Sequence, residues 1–120
     1  MSNRGLSFLA STAAVFLECH AGGIEMDEGL NMVGYLSEEM DYVSKNPSIE
    51  NSAMLLRFIW PNQRDWKGRT TEDIYLHVNL LAKDLKYFKE LPKRKQQELS
   101  GICLMLSEAA SMRSIYDLGL

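Results

Sequence analysis

Apolar residues recur every three or four positions along most of this chain, and that spacing predicts helices. In the first stretch, Leu6 to His20, one face carries Leu6, Leu9, Ala13, Phe16, Leu17 and His20. Phe8, Val15 and Cys19 make a second apolar line, which leaves Ser7, Ser11, Ala14 and Glu18 as the expected solvent side. Gly22-Gly23 follows, and a glycine just past a helix end can take the left-handed conformation that closes it. The next helix is expected to start at Asp27, a good cap, with Glu28 at the positive end of the helix dipole. Gly29, Val33, Leu36, Met40 and Val43 form its inner face; Asn31, Tyr35, Glu38 and Tyr42 form its outer face. Asn46-Pro47 ends it, because proline disfavours helical geometry in the residue before it.

A third helix is expected over roughly 49–60, after Ser48. It is apolar from Ala53 to Trp60 except for Arg57, and so short a run fits a buried strand as well. Pro61 to Arg69 is the longest loop. Thr70 or Thr71 then caps a fourth helix that reaches about Leu91. Ile74, Val78, Leu81, Leu85 and Phe88 give it a regular core stripe. Leu76, Leu80, Tyr87 and Leu91 lie beside that stripe, which predicts a central helix. Tyr75, Asn79, Lys83, Lys86 and Lys89 are left for its polar side. Pro92 suits the first turn of a fifth helix with Leu99, Ile102, Cys103, Leu106 and Ala110 inward. The expected fold is all-α: a compact bundle of four to five helices in one domain over residues 1–120.

Composition changes little in this picture. With 120 residues and 46% hydrophobic content, the chain can bury a core without a disulfide or metal staple. Cys19 and Cys103 form no spaced framework, so free thiols in a reducing, cytoplasmic setting are expected. The N-terminal stretch loosely suggests a secretory signal, with Arg4 ahead of apolar residues and small ones near Ala21. Ser7, Ser11, Thr12 and Glu18 interrupt it, and it is read as the first helix. No apolar run approaches a membrane span.

Charge is distributed unevenly. Residues 1–50 hold eight acids against Arg4 and Lys45, and residues 51–120 hold eleven bases against eight acids. The two halves can neutralise each other in the fold, or polarise a surface that steers a partner.

Candidate chemistry is sparse. Cys19, His20, His77 and Cys103 lack the paired spacing of a zinc site. His77 and Asp84, two helical turns apart, cannot pair directly, and His77 reads as a core histidine. Neither catalytic residues, a metal nor a cofactor is expected. Two surfaces stand out instead. The loop brings Trp60, Arg64, Trp66, Lys67 and Arg69 together, and Trp and Arg recur at binding hot spots. Tyr35, Glu38 and Tyr42 line one face of the second helix as a protein-contact stripe. The plainer reading has the indoles plugging the bundle ends and the tyrosines as ordinary surface residues.

These features lead to a non-enzymatic interaction protein: a small adaptor, an inhibitor or immunity-type protein, or an accessory subunit that occludes or bridges a protein partner. Homodimerisation through the spare apolar stripes of the first and fourth helices is a further expectation. The alternative is a nucleic-acid-associated subunit touching phosphates through Lys83, Lys86, Lys89, Lys93, Arg94 and Lys95. A pI near 5.4 weighs against it.

Overall fold

The computed structural model describes residues 3–24, 30–47 and 71–117. The expected cap at Asp27, the 49–60 segment and the loop Pro61–Arg69 lie outside these residues. Within them the chain is an all-α bundle. Four helices run over Asn3–Ala21 (α1), Leu30–Lys45 (α2), Thr71–Lys86 (α3) and Lys93–Asp117 (α4), and a short 3₁₀ turn spans Phe88–Glu90. α1 packs chiefly on α4 and α2 on α3, while α1 also touches α2. Leu17, Leu36, Met40, Leu85, Leu99 and Leu106 are fully buried where the four helices meet.

Three local devices set the helix ends. Gly23 closes α1 with φ of 82°. Its N–H donates to the His20 carbonyl at 3.1 Å, and the Ile24 N–H donates to the Cys19 carbonyl at 2.9 Å. That pair of bonds is a Schellman cap, which needs a left-handed residue and so favours glycine. The expected fourth helix is two pieces: α3 stops at Lys86, and Phe88 reaches the core from the 3₁₀ turn. Pro92 sits one residue ahead of α4, not inside its first turn, and its carbonyl accepts the Gln96 N–H at 3.0 Å.

The α1–α4 seam corrects the reading of α1. Ala14 is buried, and Ser7 is half-buried against α4. Ser7 Oγ donates to the Ser107 carbonyl at 3.0 Å, and Ser107 Oγ donates to the Ser7 carbonyl at 2.8 Å. Ser100 Oγ donates to the Ala14 carbonyl at 2.8 Å. A side-chain hydroxyl reaching a neighbouring helix backbone requires a short interaxial distance, and small residues permit it. Two positions expected to meet solvent are therefore in the close-packed seam. Phe8 and Val15 are exposed instead, at 66% and 53%.

α3 corrects the chain reading a second time. It is not the central helix, because Leu76, Leu80 and Tyr87 are about half exposed. Tyr75, assigned to the polar side, is buried, and His77 is exposed and not a core histidine. The reason is that α2 packs on the small side of α3: Ser37 Oγ donates to the Ala82 carbonyl at 2.6 Å. Asn79 Nδ2 donates to Ser44 Oγ at 3.3 Å and lies 3.5 Å from Asp41 Oδ1. Burial on α3 is turned toward Tyr75 and Ala82, and the Leu76–Leu80 line is left outside. Among the described residues no helix is long and apolar enough to cross a membrane.

Candidate partner-binding face

Five of the eight residues expected to contact a protein partner, Trp60, Arg64, Trp66, Lys67 and Arg69, lie outside the described residues. The other three are on α2. Tyr35 and Tyr42 are exposed at 55% and 61%, with Glu38, also exposed, one helical turn from each. Their spacings of three and four residues put them on one helix face.

The fold joins this stripe to part of the basic cluster. α2 and α3 run antiparallel, as Ser37 at Ala82 and Asp41 at Asn79 show. Between them lies an open groove of about 520 Å³. Glu38, Asp41 and Lys45 line its α2 wall; Lys83, Lys86 and Tyr87 line the other, with Gly34, Ser37 and Ala82 at its base. Asp41 is already held by Lys45 Nζ at 2.9 Å, an exposed pair of small energetic value. Glu38 and Lys83 face the same groove, yet no ion pair links them among the described residues. Lys86 Nζ lies 5.4 Å from the Tyr87 ring centroid, a cation–π distance. Glu38 and Asp41, with Lys45 beside them, thus face Lys83, Lys86 and Tyr87 across the groove, and Tyr35 and Tyr42 stand exposed on α2 next to that wall.

Tyr87 and Asp41 belong to this face, although nothing in the sequence singles them out for it. Tyr87 is legible there only as part of an apolar stripe, because nothing local says that α3 breaks at that point and leaves the ring outside.

The remaining basic residues go elsewhere. Lys89 lies by the 3₁₀ turn at the Gly34 end of the α2–α3 layer. Lys95 lines a different groove, between α3 and α4. Lys95 Nζ and Arg94 Nε lie 3.6 Å and 3.9 Å from Glu98. Lys93 is exposed at the start of α4. The six therefore divide among separate surfaces instead of forming one stripe.

The α3–α4 groove holds about 390 Å³ and has an apolar floor of Leu81, Leu99, Ile102 and Met105. His77 and Asp84 both line it, but they stand two turns apart on α3, roughly 10 Å along the axis. Cys103 does not line it; the thiol is buried in the core, and burial pushes its pKa up to about 12. Such a thiol stays protonated and is a poor nucleophile. Cys19 and Cys103 are both free. In the α1–α4 register set by Ser7 at Ser107 and Ala14 at Ser100, they sit about eight residues apart, or ~12 Å, too far to bridge. Among the described residues no three His, Cys, Asp or Glu side chains gather closely enough to hold a metal ion.

His20 has a structural place. Gln96 Nε2 donates to the Phe88 and Leu91 carbonyls, each at 3.1 Å, which turns its Oε1 toward His20 Nδ1 at 2.9 Å. Nδ1 must then carry the proton. The ring also packs edge-on against Phe88, at 5.1 Å between centroids.

The chain matches no protein-family model, and no curated protein or solved structure gives a match either.

Proposed function

We propose that this chain is a non-enzymatic interaction protein and that the α2–α3 face is its binding surface. One observation carries the reading: Tyr35 and Tyr42 stand exposed on α2, next to a groove in which Glu38 and Asp41 face Lys83, Lys86 and the exposed Tyr87. Tyrosine offers a large, rigid, amphipathic contact at low entropic cost, and interface cores are enriched in it. Charges that find no mate among the described residues are left to set orientation and partner choice. The buried, protonated Cys103 and the separation of His77 from Asp84 support a role without catalysis. Adaptor, inhibitor and accessory subunit all use such a face to bridge or occlude, and the cytoplasm suits its free thiols.

The test compares affinity capture from native cells by the full chain and by a Tyr35→Ala/Tyr42→Ala variant, read by quantitative mass spectrometry. Both tyrosines are exposed, so the fold should persist, which circular dichroism checks. The variant is expected to lose a specific protein that the wild type retains. Equal recovery by both would reject the face. Recovery of nucleic acid that falls steeply with salt would instead favour phosphate contacts through the lysines.

A further inference from the structure

We infer that the α2–α3 face fits a second copy of this chain, forming a two-fold dimer whose axis runs along the groove. The inference rests on the proposed binding role of this face and names its occupant. A two-fold axis parallel to the helices turns the second copy over so that its α2 lies across α3 of the first, and the reverse. Each residue keeps its level along the axis. The acidic wall of one copy then meets the basic wall of the other twice, which is the self-complementarity that an isologous interface requires.

The register makes the match specific. Ser37 at Ala82 and Asp41 at Asn79 fix which residues of the two helices are level. Glu38 is level with Lys83, its mate in charge across the groove, to which it makes no ion pair within the chain. In the dimer, Glu38 of each copy faces Lys83 of the other. Tyr35 is level with the end of α3, where Gly34, Lys86 and Tyr87 come together. Tyr35 therefore lies over Tyr87 of the second copy. Tyr42 is level with the turn of α3 that carries Leu76, which is 56% exposed; Leu80 lines the α3–α4 groove instead. One operation thus covers the tyrosine stripe of α2 and Leu76 of α3 and pairs Glu38 with Lys83.

The experiment uses the purified full chain in sedimentation equilibrium, with Glu38→Lys and Lys83→Glu variants measured singly and mixed. The wild type is expected to form a concentration-dependent dimer that weakens at high salt. Each single variant places like charges opposite each other twice and should weaken association by on the order of tenfold. An equimolar mixture of the two should restore it. In the mixed dimer one contact pairs the introduced lysine with the introduced glutamate, and the other keeps native Glu38 against native Lys83. That restoration also shows that both variants are folded.

A monomeric wild type at all concentrations overturns the inference. So does a dimer that neither variant weakens, or a mixture that associates no better than its components. Because the chain is measured alone, its failure leaves the face available to a different protein. The cell-capture comparison decides that question separately.

Discussion

Gln96 shows how much one polar side chain can organise. It is buried at 4% exposure, and its amide spends both of its functions: the nitrogen on the Phe88 and Leu91 carbonyls, the oxygen on His20. The carbonyls belong to the 3₁₀ connection between α3 and α4, and His20 lies in the last turn of α1. Three elements are thus tied at one residue. Gln96→Leu keeps similar bulk but strands two carbonyls and an imidazole N–H, so a loss of about 2–3 kcal/mol in equilibrium denaturation is expected. Gln96→Glu should also destabilise, since a carboxylate has no hydrogen to give the carbonyls. If both variants unfold at the wild-type midpoint, the three bonds contribute nothing. Cys103 sets a pH dependence of known sign. Burial raises its pKa from 9.0 to about 12 in the folded chain, while an unfolded thiol titrates near its ordinary value. The stability this contributes is present in full below pH 9 and lost as pH rises from 9 toward 12, by up to ~1.4 kcal/mol per pH unit. Cys103→Ala should remove that component of the alkaline slope. A slope identical to that of the wild type would mean that other groups produce it.

Helix pairing is where chain and structure part company, and α1 shows why. Its apolar positions cover much of its circumference, so periodicity identifies a helix without saying which side faces which neighbour. Phe8 and Val15 look like core residues and Ser7 and Ala14 like surface, yet Ala14 is buried and Ser7 bonds to Ser107. Closeness of approach decides the seam, and small residues allow it; a hydrophobicity pattern cannot register that. The same holds in α3, where Ala82 and Tyr75 turn inward and Leu76 and Leu80 stay out. By contrast, Val33, Leu36, Met40 and Val43 on α2 and Leu99, Cys103, Leu106 and Ala110 on α4 are buried as their spacing predicts. On α2 one apolar stripe stands without a rival face, whereas α4 is apolar without a break from Ile102 to Leu106 and leaves Leu104 exposed. The candidate site follows the same rule. Tyr35, Glu38 and Tyr42 are legible in the sequence because they lie on one helix, whereas their alliance with Lys83, Lys86 and Tyr87 is tertiary. A paired substitution separates seam from surface. Ala14→Leu inserts three carbons beneath the Ser100 hydroxyl and should cost at least ~1–3 kcal/mol, while Phe8→Ala should change stability by no more than ~0.5 kcal/mol. Chemical denaturation of both variants checks this, and a larger loss from Phe8→Ala would mean that α1 turns its other face inward.

For the molecule as a whole, the uneven charge along the chain becomes a surface with sides. α2 supplies Glu38 and Asp41, and the far end of α3 supplies Lys83 and Lys86, so the polarity of sequence halves survives as two strips on one face. Glu38 and Lys83 on these strips form no ion pair with each other. Their separation has a thermodynamic consequence if two copies associate through this face. Anything that binds the native state and not the unfolded one stabilises it by mass action, and here the ligand is the chain itself. The wild-type melting temperature should therefore climb with protein concentration, by a few degrees over a hundredfold range for a domain of this size. The Glu38→Lys and Lys83→Glu variants should lose most of that dependence when melted separately and recover it when mixed. Differential scanning calorimetry across the concentration series reads all three cases. A wild-type transition that stays fixed while the concentration rises would place the facing charges and exposed tyrosines at the service of a different partner, because a surface that meets its own copy must reveal the meeting in the energetics of unfolding.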